Sequence, residues 1–370
     1  MTKIEERLKH IKEPEPMGSY SREDCIFLLK NLNGMIKEQG NEEREGLNQS
    51  GTHYSEMLPI EYVPTEEYVD LFKKTLEESA EKMADYVAIL ANKIISLKGE
   101  NIVLASLARA GTPIGVLLKR YIKLKYGIDV PHYSISIIRG KGFDENALCY
   151  IIGNHPEATI QFIDGWTGKG AITKVLEDAC ASFNSKYDTN IKADLAVIAD
   201  PAHSVQICST REDFLIPSAC LNSTISGLMT RTVERKDLIG EYDFHGAKYY
   251  EEWKDIDYSN IYVDKISSLF KKEIEWDNST EEITFQGWKD MQRIMEELEM
   301  TDINLVKPSV GECTRVLLRR VPWKILVDDI NNPNLQLILL LAKNRGVPVE
   351  EYKNMSYSCI GVIKELKKNN

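Results

Sequence analysis

Three short stretches of this chain carry residue types suited to holding an anion. In "FIDGWTGKGAITK" an apolar run ends at Asp164, and a glycine-rich loop, Thr167-Gly168-Lys169-Gly170, leads into a helical pattern. The free N–H groups and the dipole of a helix start favour an anion there, and glycines let the backbone approach it closely. Thr167 and Thr173 offer hydroxyl donors, Lys169 adds charge, and Asp164 is placed to accept from sugar hydroxyls. Phosphate on one side and a vicinal diol on the other describe a ribose 5-phosphate. The second stretch, "LASLARAGTPIG", sets Arg109, Ala110 and Gly111 at another strand-to-helix turn, suited to a second anion such as pyrophosphate. The third, "IIRGKGFDE", places Arg139 and Lys141 in a glycine-flexed loop after a strand. A nucleotide P-loop is excluded, because Gly170 follows Lys169 and Ile163 stands where the first glycine belongs. "GWTGKG" also lacks the spacing of the dinucleotide-binding fingerprint.

The elements that position these loops follow from hydrophobic periodicity. "NIVLASLA", "HYSISII", "ATIQFID" and "ADLAVIAD" read as strands, and "TPIGVLLKRYIKLKYG", closed by Gly127, and "GAITKVLEDACASFN" as helices. Such alternation predicts an α/β fold with a mostly parallel sheet covered on both faces. Ligands in such sheets bind at the carboxyl ends of the strands, so the three loops converge on one face. Upstream, Ser21 with Asp24 three residues on predicts a helix start at "SREDCIFLLKNL". Thr65 caps a long amphipathic helix reaching about Leu97, with Leu71, Leu76, Met83, Val87 and Leu90 near one face. Charged, helical-looking sequence runs from about Asn260 to Glu299. Beyond it a compact unit begins, with a helix at "GECTRVLLRR", a strand at "KILVDD" and a helix at "NLQLILLLAKNRG". The expected division is an N-terminal helical extension over 1–98, an anion-binding α/β domain over 99–285, and a small α/β domain over 301–370.

Composition narrows the function classes. The formal net charge is −11, yet residues 301–370 hold 11 Lys and Arg against 7 Asp and Glu, while the rest holds 35 against 50. A basic tail on an acidic body points to an anionic partner for the tail. The 7 cysteines form no CxxC pair, which argues against a disulfide framework and a zinc site and fits a reducing cytoplasm. The opening residues lack the apolar core of a signal peptide, and no apolar run approaches the roughly 20 residues of a membrane span. A cytoplasmic protein with no membrane partner is expected; a homo-oligomer is compatible with the sequence.

"FIDGWTGKGAIT" resembles the loop of type I phosphoribosyltransferases that holds 5-phosphoribosyl-1-diphosphate, and "LARAG" resembles their pyrophosphate loop. "HYSEMLP", "SLARAGTPIG", "YSISIIRGKG", "FIDGWTGKGAI", "DFLIPSACLNSTISGLMTRT" and "FHGAKYY" together resemble the StiP family, bacterial proteins with a phosphoribosyltransferase-like domain linked to tellurite-resistance and stress gene neighbourhoods. The tail, through "GECTRVLLRR", "ILVDDINNP" and "LAKNRGVPVEEY", resembles a Pelota-type RNA-binding domain of the L7Ae fold. The resemblance implies transfer of ribose 5-phosphate from a diphosphate donor to a nitrogen acceptor. Asp164, Arg109 and Lys141 would be catalytic, and Ala110, Gly111, Arg139, Thr167, Gly168, Lys169, Gly170 and Thr173 would bind substrate. Mg²⁺ would come with the diphosphate and share in neutralising it. It also implies RNA as a partner of the tail, with Gly311 and Glu312 opening a helix toward it and Arg315, Arg319 and Arg320 contacting phosphates. One departure is clear: phosphoribosyltransferases carry two adjacent acidic residues before the loop, whereas here Gly165 follows Asp164. Two other readings stand beside transfer. One is a module that binds a nucleotide and RNA without turnover. The other is the cysteine protease of the family's label, with Cys208 as nucleophile and His203 nearby in "DPAHSVQICST"; a bland alternative for Cys208 is a small apolar residue in a core.

Overall fold

The computed structural model of the chain describes residues 2–40, 47, 51–280 and 282–364, and of Arg319 the backbone alone. The phosphate contact expected of Arg319 lies outside the described side chains. At the centre is a six-stranded sheet made of β1 (Ile26–Phe27), β2 (Ile102–Leu107), β3 (His132–Ile135), β4 (Thr159–Trp166), β5 (Leu195–Ala199) and β6 (Ile207–Thr210), in the order β1-β3-β2-β4-β5-β6. All its pairings are parallel. The helices, in chain order, are α1 (Lys3–Leu8), α2 (Glu66–Lys98), α3 (Thr112–Tyr126), α4 (Glu145–Asn154), α5 (Ala171–Tyr187), α6 (Ser259–Ser267), α7 (Gln286–Glu297), α8 (Val310–Arg319) and α9 (Gln336–Asn344).

Both faces of the sheet are buried, and the alternation along each strand shows it. In β2, Ile102 and Leu104 join one apolar cluster with α2 and α3, whereas Val103, Ala105 and Leu107 join the other with α4 and α5. Successive side chains point to opposite faces, and each large apolar side chain fully buried contributes about 1.5–3 kcal/mol. The expected helices and strands of this region are present, with Gly127 closing α3 at φ 72°.

The helix expected from Ser21 is not there. Ser21 and Asp24 make a single turn, in which Asp24 N donates to Ser21 Oγ at 3.1 Å, and the chain then enters β1. The reason lies in "CIFLL": Phe27 and Leu29 enter one cluster and Leu28 the other. That period of two suits an edge strand between two cores, and pairing with Tyr133 and Ser134 completes it. Residues before 99 thus give the sheet its edge strand, and α2 buries Phe72, Leu76, Met83, Val87 and Leu90 on it.

The charged stretch after Asn260 holds α6 and α7 with irregular chain between them. A second sheet follows, made of β7 (Val306–Pro308), β8 (Pro322–Val327), β9 (Val349–Glu351) and β10 (Cys359–Ile363), in the order β7-β10-β8-β9. β10 runs antiparallel to β7 and β8, and β9 parallel to β8. On one face Val310, Cys313, Leu317 and Ile338 of α8 and α9 belong to the same buried cluster as α2 and α3. On the other, Met291 and Ile294 of α7 cover Leu326 and Ile360. Among the described residues no helix is long and apolar enough to cross a membrane.

Candidate functional site

Strand β4 ends on the residues the sequence singled out. Asp164 accepts from Gly165 N at 2.8 Å, and Trp166 is the last residue of the strand. Two glycines are fixed by space here. A Cβ on Gly111 would stand 2.3 Å from the Ile163 carbonyl oxygen, so the turn before α3 lies directly against β4. Gly170 starts α5 with φ 77°, in the left-handed region, and a Cβ there would meet Ser204 at 2.9 Å.

A cavity of about 480 Å³ opens above this point, lined by Ala110, Arg139, Asp164, Gly168 and Lys169 from the body and by Lys307, Glu312 and Arg315 from the C-terminal domain. A neighbouring cavity of about 310 Å³ shares Ala110, Asp164, Trp166 and Arg315 with it and extends to Arg109. Burial lifts the Asp164 carboxyl to about 7, with Gly165 N–H and Arg315 opposing the rise. Lys169 is depressed to about 8, first by desolvation and then by the positive charges of Lys307 and Arg139. Lys307 is lowered too, mainly by desolvation, with Arg320 and Arg139 adding to it and Glu312 opposing.

Several expected ligand groups are committed elsewhere. Arg109 grips Glu61 through both guanidinium nitrogens at 3.0 and 3.2 Å and also donates to Ser223 Oγ at 2.8 Å. Lys141 pairs with Glu56 at 3.4 Å and Glu234 at 3.3 Å. The Thr167 hydroxyl, fully buried, donates to Asp200, and Thr173 Oγ1 donates to Ser204 Oγ at 3.5 Å. Asp200 also accepts from Ser204 N, Val205 N and Arg211, which makes it the anchor of this loop. Lys169, expected to lend its charge to a bound anion, is half-buried and donates to the Ile303 carbonyl of the C-terminal domain. The helix start expected to face RNA faces the body instead. Gly311 lies against Trp166 and Ala219, where an added Cβ would stand 3.4 Å from both. Arg315 stacks 5.0 Å over the Trp166 ring and donates to Glu312 at 2.9 Å. Arg320 is exposed and lines a separate cavity of about 910 Å³.

Docking of the C-terminal domain explains these placements. Asp213, buried, accepts from Val310 N at 2.9 Å and Ser358 N at 3.0 Å. Tyr357 Oη donates to the Gly168 carbonyl at 2.7 Å and Tyr68 Oη to the Leu318 carbonyl at 2.6 Å. Glu61, Asp200, Asp213 and Lys307 are functional neighbours that the motifs do not single out. Of these, Lys307 carried a usable signal, being the charged residue in the apolar "NLVKPS" before a helix.

Residues 18–267 match the family described as "Tellurite-like stress resistance cysteine protease StiP". The chain belongs to this StiP family. A protein of Acinetobacter baylyi (strain ATCC 33305 / BD413 / ADP1) named "Cysteine protease StiP" is 34% identical over 368 residues, which cover 95% of each chain. Residues 285–365 match the family described as "PELOTA RNA binding domain". All of the chain's cysteines are buried. Cys208, the candidate nucleophile of the sequence reading, lies on β6 beside Val197 of β5, in the apolar cluster with Phe183 and Val205. Cys220, in the "PSAC" turn, lines the 910 Å³ cavity together with Glu61, Asn222 and Thr224.

Proposed function

We propose that this StiP-family chain binds a phosphorylated ribose, as the free sugar phosphate, a nucleotide or a diphosphate, in the cavity above β4. The observation that carries the reading is the gathering, among the described residues, of Arg139, Lys169, Lys307 and Arg315 around one cavity against Asp164 and Glu312. Cations brought together in a partly desolvated space raise one another's energy; at Lys169 that repulsion adds to the larger effect of desolvation, and an anion relieves it. The parallel sheet with loops at the carboxyl ends of neighbouring strands supports the phosphoribosyltransferase-type fold as the finer description. For transfer, leaving-group charge would fall on Arg139 and Lys169, since Arg109 and Lys141 hold carboxylates. Asp164 is the one body carboxylate at the cavity to which a Mg²⁺ carried on a diphosphate would bind, and that ion would supply charge neutralisation. Calorimetric titration with ribose 5-phosphate, pyrophosphate and phosphoribosyl diphosphate tests the site: Asp164→Asn and Lys169→Met should each weaken binding. Release of pyrophosphate from the diphosphate separates a transferase from a binding protein. Binding of none of the three compounds overturns the reading.

The name of the Acinetobacter baylyi relative favours a second reading, a cysteine peptidase. Cys208 sits between packed layers, whereas Cys220, itself fully buried, borders a large cavity, which makes it the thiol to test. Cleavage of a protein substrate that survives Cys208→Ala and is lost in Cys220→Ala would support it. Equal activity in both variants refutes it. For the C-terminal domain, the family match supports RNA as partner, and exposed Arg320, Val321 and Trp323 suit stacking and phosphate contact better than the covered Gly311. A steep fall of affinity with salt is expected.

A further inference from the structure

The cavity is walled on one side by a domain whose match is to an RNA binder. Lys307 from β7 and Glu312 and Arg315 from α8 line it together with Asp164, Gly168 and Lys169. These are not chance neighbours at a loose seam. Arg315 is fixed from three sides: its guanidinium lies 5.0 Å over Trp166, Nη1 donates to Glu312 Oε1 at 2.9 Å, and Nε donates to the Ala219 carbonyl at 3.4 Å. The phosphate loop is tied to the same domain at two successive residues, Gly168 through Tyr357 and Lys169 through Ile303. Gly311 is packed against Trp166, which closes the seam beside Arg315.

We propose that Lys307 and Arg315 are ligand-binding residues, and that the phosphate site is complete only when the C-terminal domain is docked. This rests on the phosphorylated-ribose reading and deepens it. Arg139, Lys169 and Lys307 surround one anion position, to which the C-terminal domain contributes the third cation. Desolvation lowers Lys169 and Lys307 first, and the positive charge of Arg139 adds to the fall in both. Arg315 stands on the other side, near Asp164, whose carboxyl it helps to ionise. A ligand with phosphate at the first position and a hydroxylated ring at the second touches both domains at once. Binding of such a ligand therefore tightens the docking, and loosening the docking weakens binding by the same factor.

The test uses the full chain at low salt with inorganic pyrophosphate and ribose 5-phosphate as probes, read by calorimetry. Lys307→Met keeps the aliphatic stem and removes the charge. It should weaken binding about tenfold to a hundredfold, as expected for loss of one charged hydrogen bond. Lys307→Arg should restore most of the affinity, and Arg315→Met should weaken binding as Lys307→Met does. Lys343→Met, which removes an exposed charge from α9, should change affinity less than about twofold. With pyrophosphate bound, amide exchange over residues 306–318 should slow in the wild-type chain and stay unchanged in Lys307→Met. If Lys169→Met loses affinity while Lys307→Met and Arg315→Met bind as the wild type, the two-domain site is wrong and the phosphate site of the body stands. If the wild-type chain binds neither probe, both fall.

Discussion

Adding one methyl group at Gly287 should loosen both the C-terminal domain and the glycine-rich loop after β4. Gly287 lies in the first turn of α7, where a Cβ would come within 2.0 Å of Tyr357 Oη and 2.7 Å of Ala202 Cα. The Ala202 side of this clash is backbone, held by the bond from Gly287 N to Ala202 O at 3.0 Å. Tyr357 must therefore give way, although it is 1% exposed. Its movement breaks the 2.7 Å bond to the Gly168 carbonyl, worth about 1 kcal/mol, and forcing a methyl group into a packed site adds about 1–3 kcal/mol. Gly287→Ala should then cost about 2–4 kcal/mol, which for a chain of this length lowers the melting temperature by about 3–5 °C. Tyr357→Phe, which removes only the hydroxyl, should cost about 1 kcal/mol. In the Tyr357→Phe background the cost of Gly287→Ala should shrink by about 1 kcal/mol, the coupling between residues in contact. Thermal melts of the four proteins measure all three quantities. A Gly287→Ala chain that melts within about 1 °C of wild type, or costs that simply add, would refute the geometry.

Other perturbations have equally definite outcomes. Because burial lifts Asp164 to about 7, the folded chain keeps a proton between about pH 4 and 7 that the unfolded chain has released. Stability should fall as pH rises through that window, and Asp164→Asn should flatten the fall; urea midpoints that run parallel in both proteins contradict it. Lys169, near 8, loses charge as pH rises, so pyrophosphate affinity should drop between pH 7 and pH 9.5, measured by titration; constant affinity would remove Lys169 from the site. Arg109→Met removes the guanidinium that grips the Glu61 carboxylate at two oxygens and should cost about 3 kcal/mol of stability, in a denaturant melt, with less effect on ligand affinity than Lys169→Met. The opposite ranking would return Arg109 to the ligand.

The sheet was legible because its strands sit between two apolar layers. Runs such as "NIVLASLA" and "ADLAVIAD" have little freedom to be anything else, and the strand-loop-helix at Asp164 followed from its glycines. At Ser21 the local helix signal lost to tertiary burial, since "CIFLL" alternates between two cores. Helix α1 was readable and missed: Thr2 and Glu5 form a capping box. The candidate site was legible in its location and not in its partners. Glu61 takes Arg109 from 48 positions away, and Tyr357 reaches Gly168 from 189. Neither contact leaves a periodic trace in the sequence, because each depends on how separate elements stack. The basic excess of the tail points to a surface for an outside partner. Part of it, Lys307 and Arg315, turns inward to the cavity.

The apolar cluster shared by α2, α3, α8 and α9 bears on how the chain comes apart. Two family matches divide it between residues 267 and 285, yet that seam is not a seam of stability. Asp213 clamps two amides of the later segment from inside the earlier one, and cutting there would strand a buried carboxylate and bare the flank of α2. Heating should therefore unfold both segments in one transition, with the inheritance of two modules hidden inside a single cooperative unit.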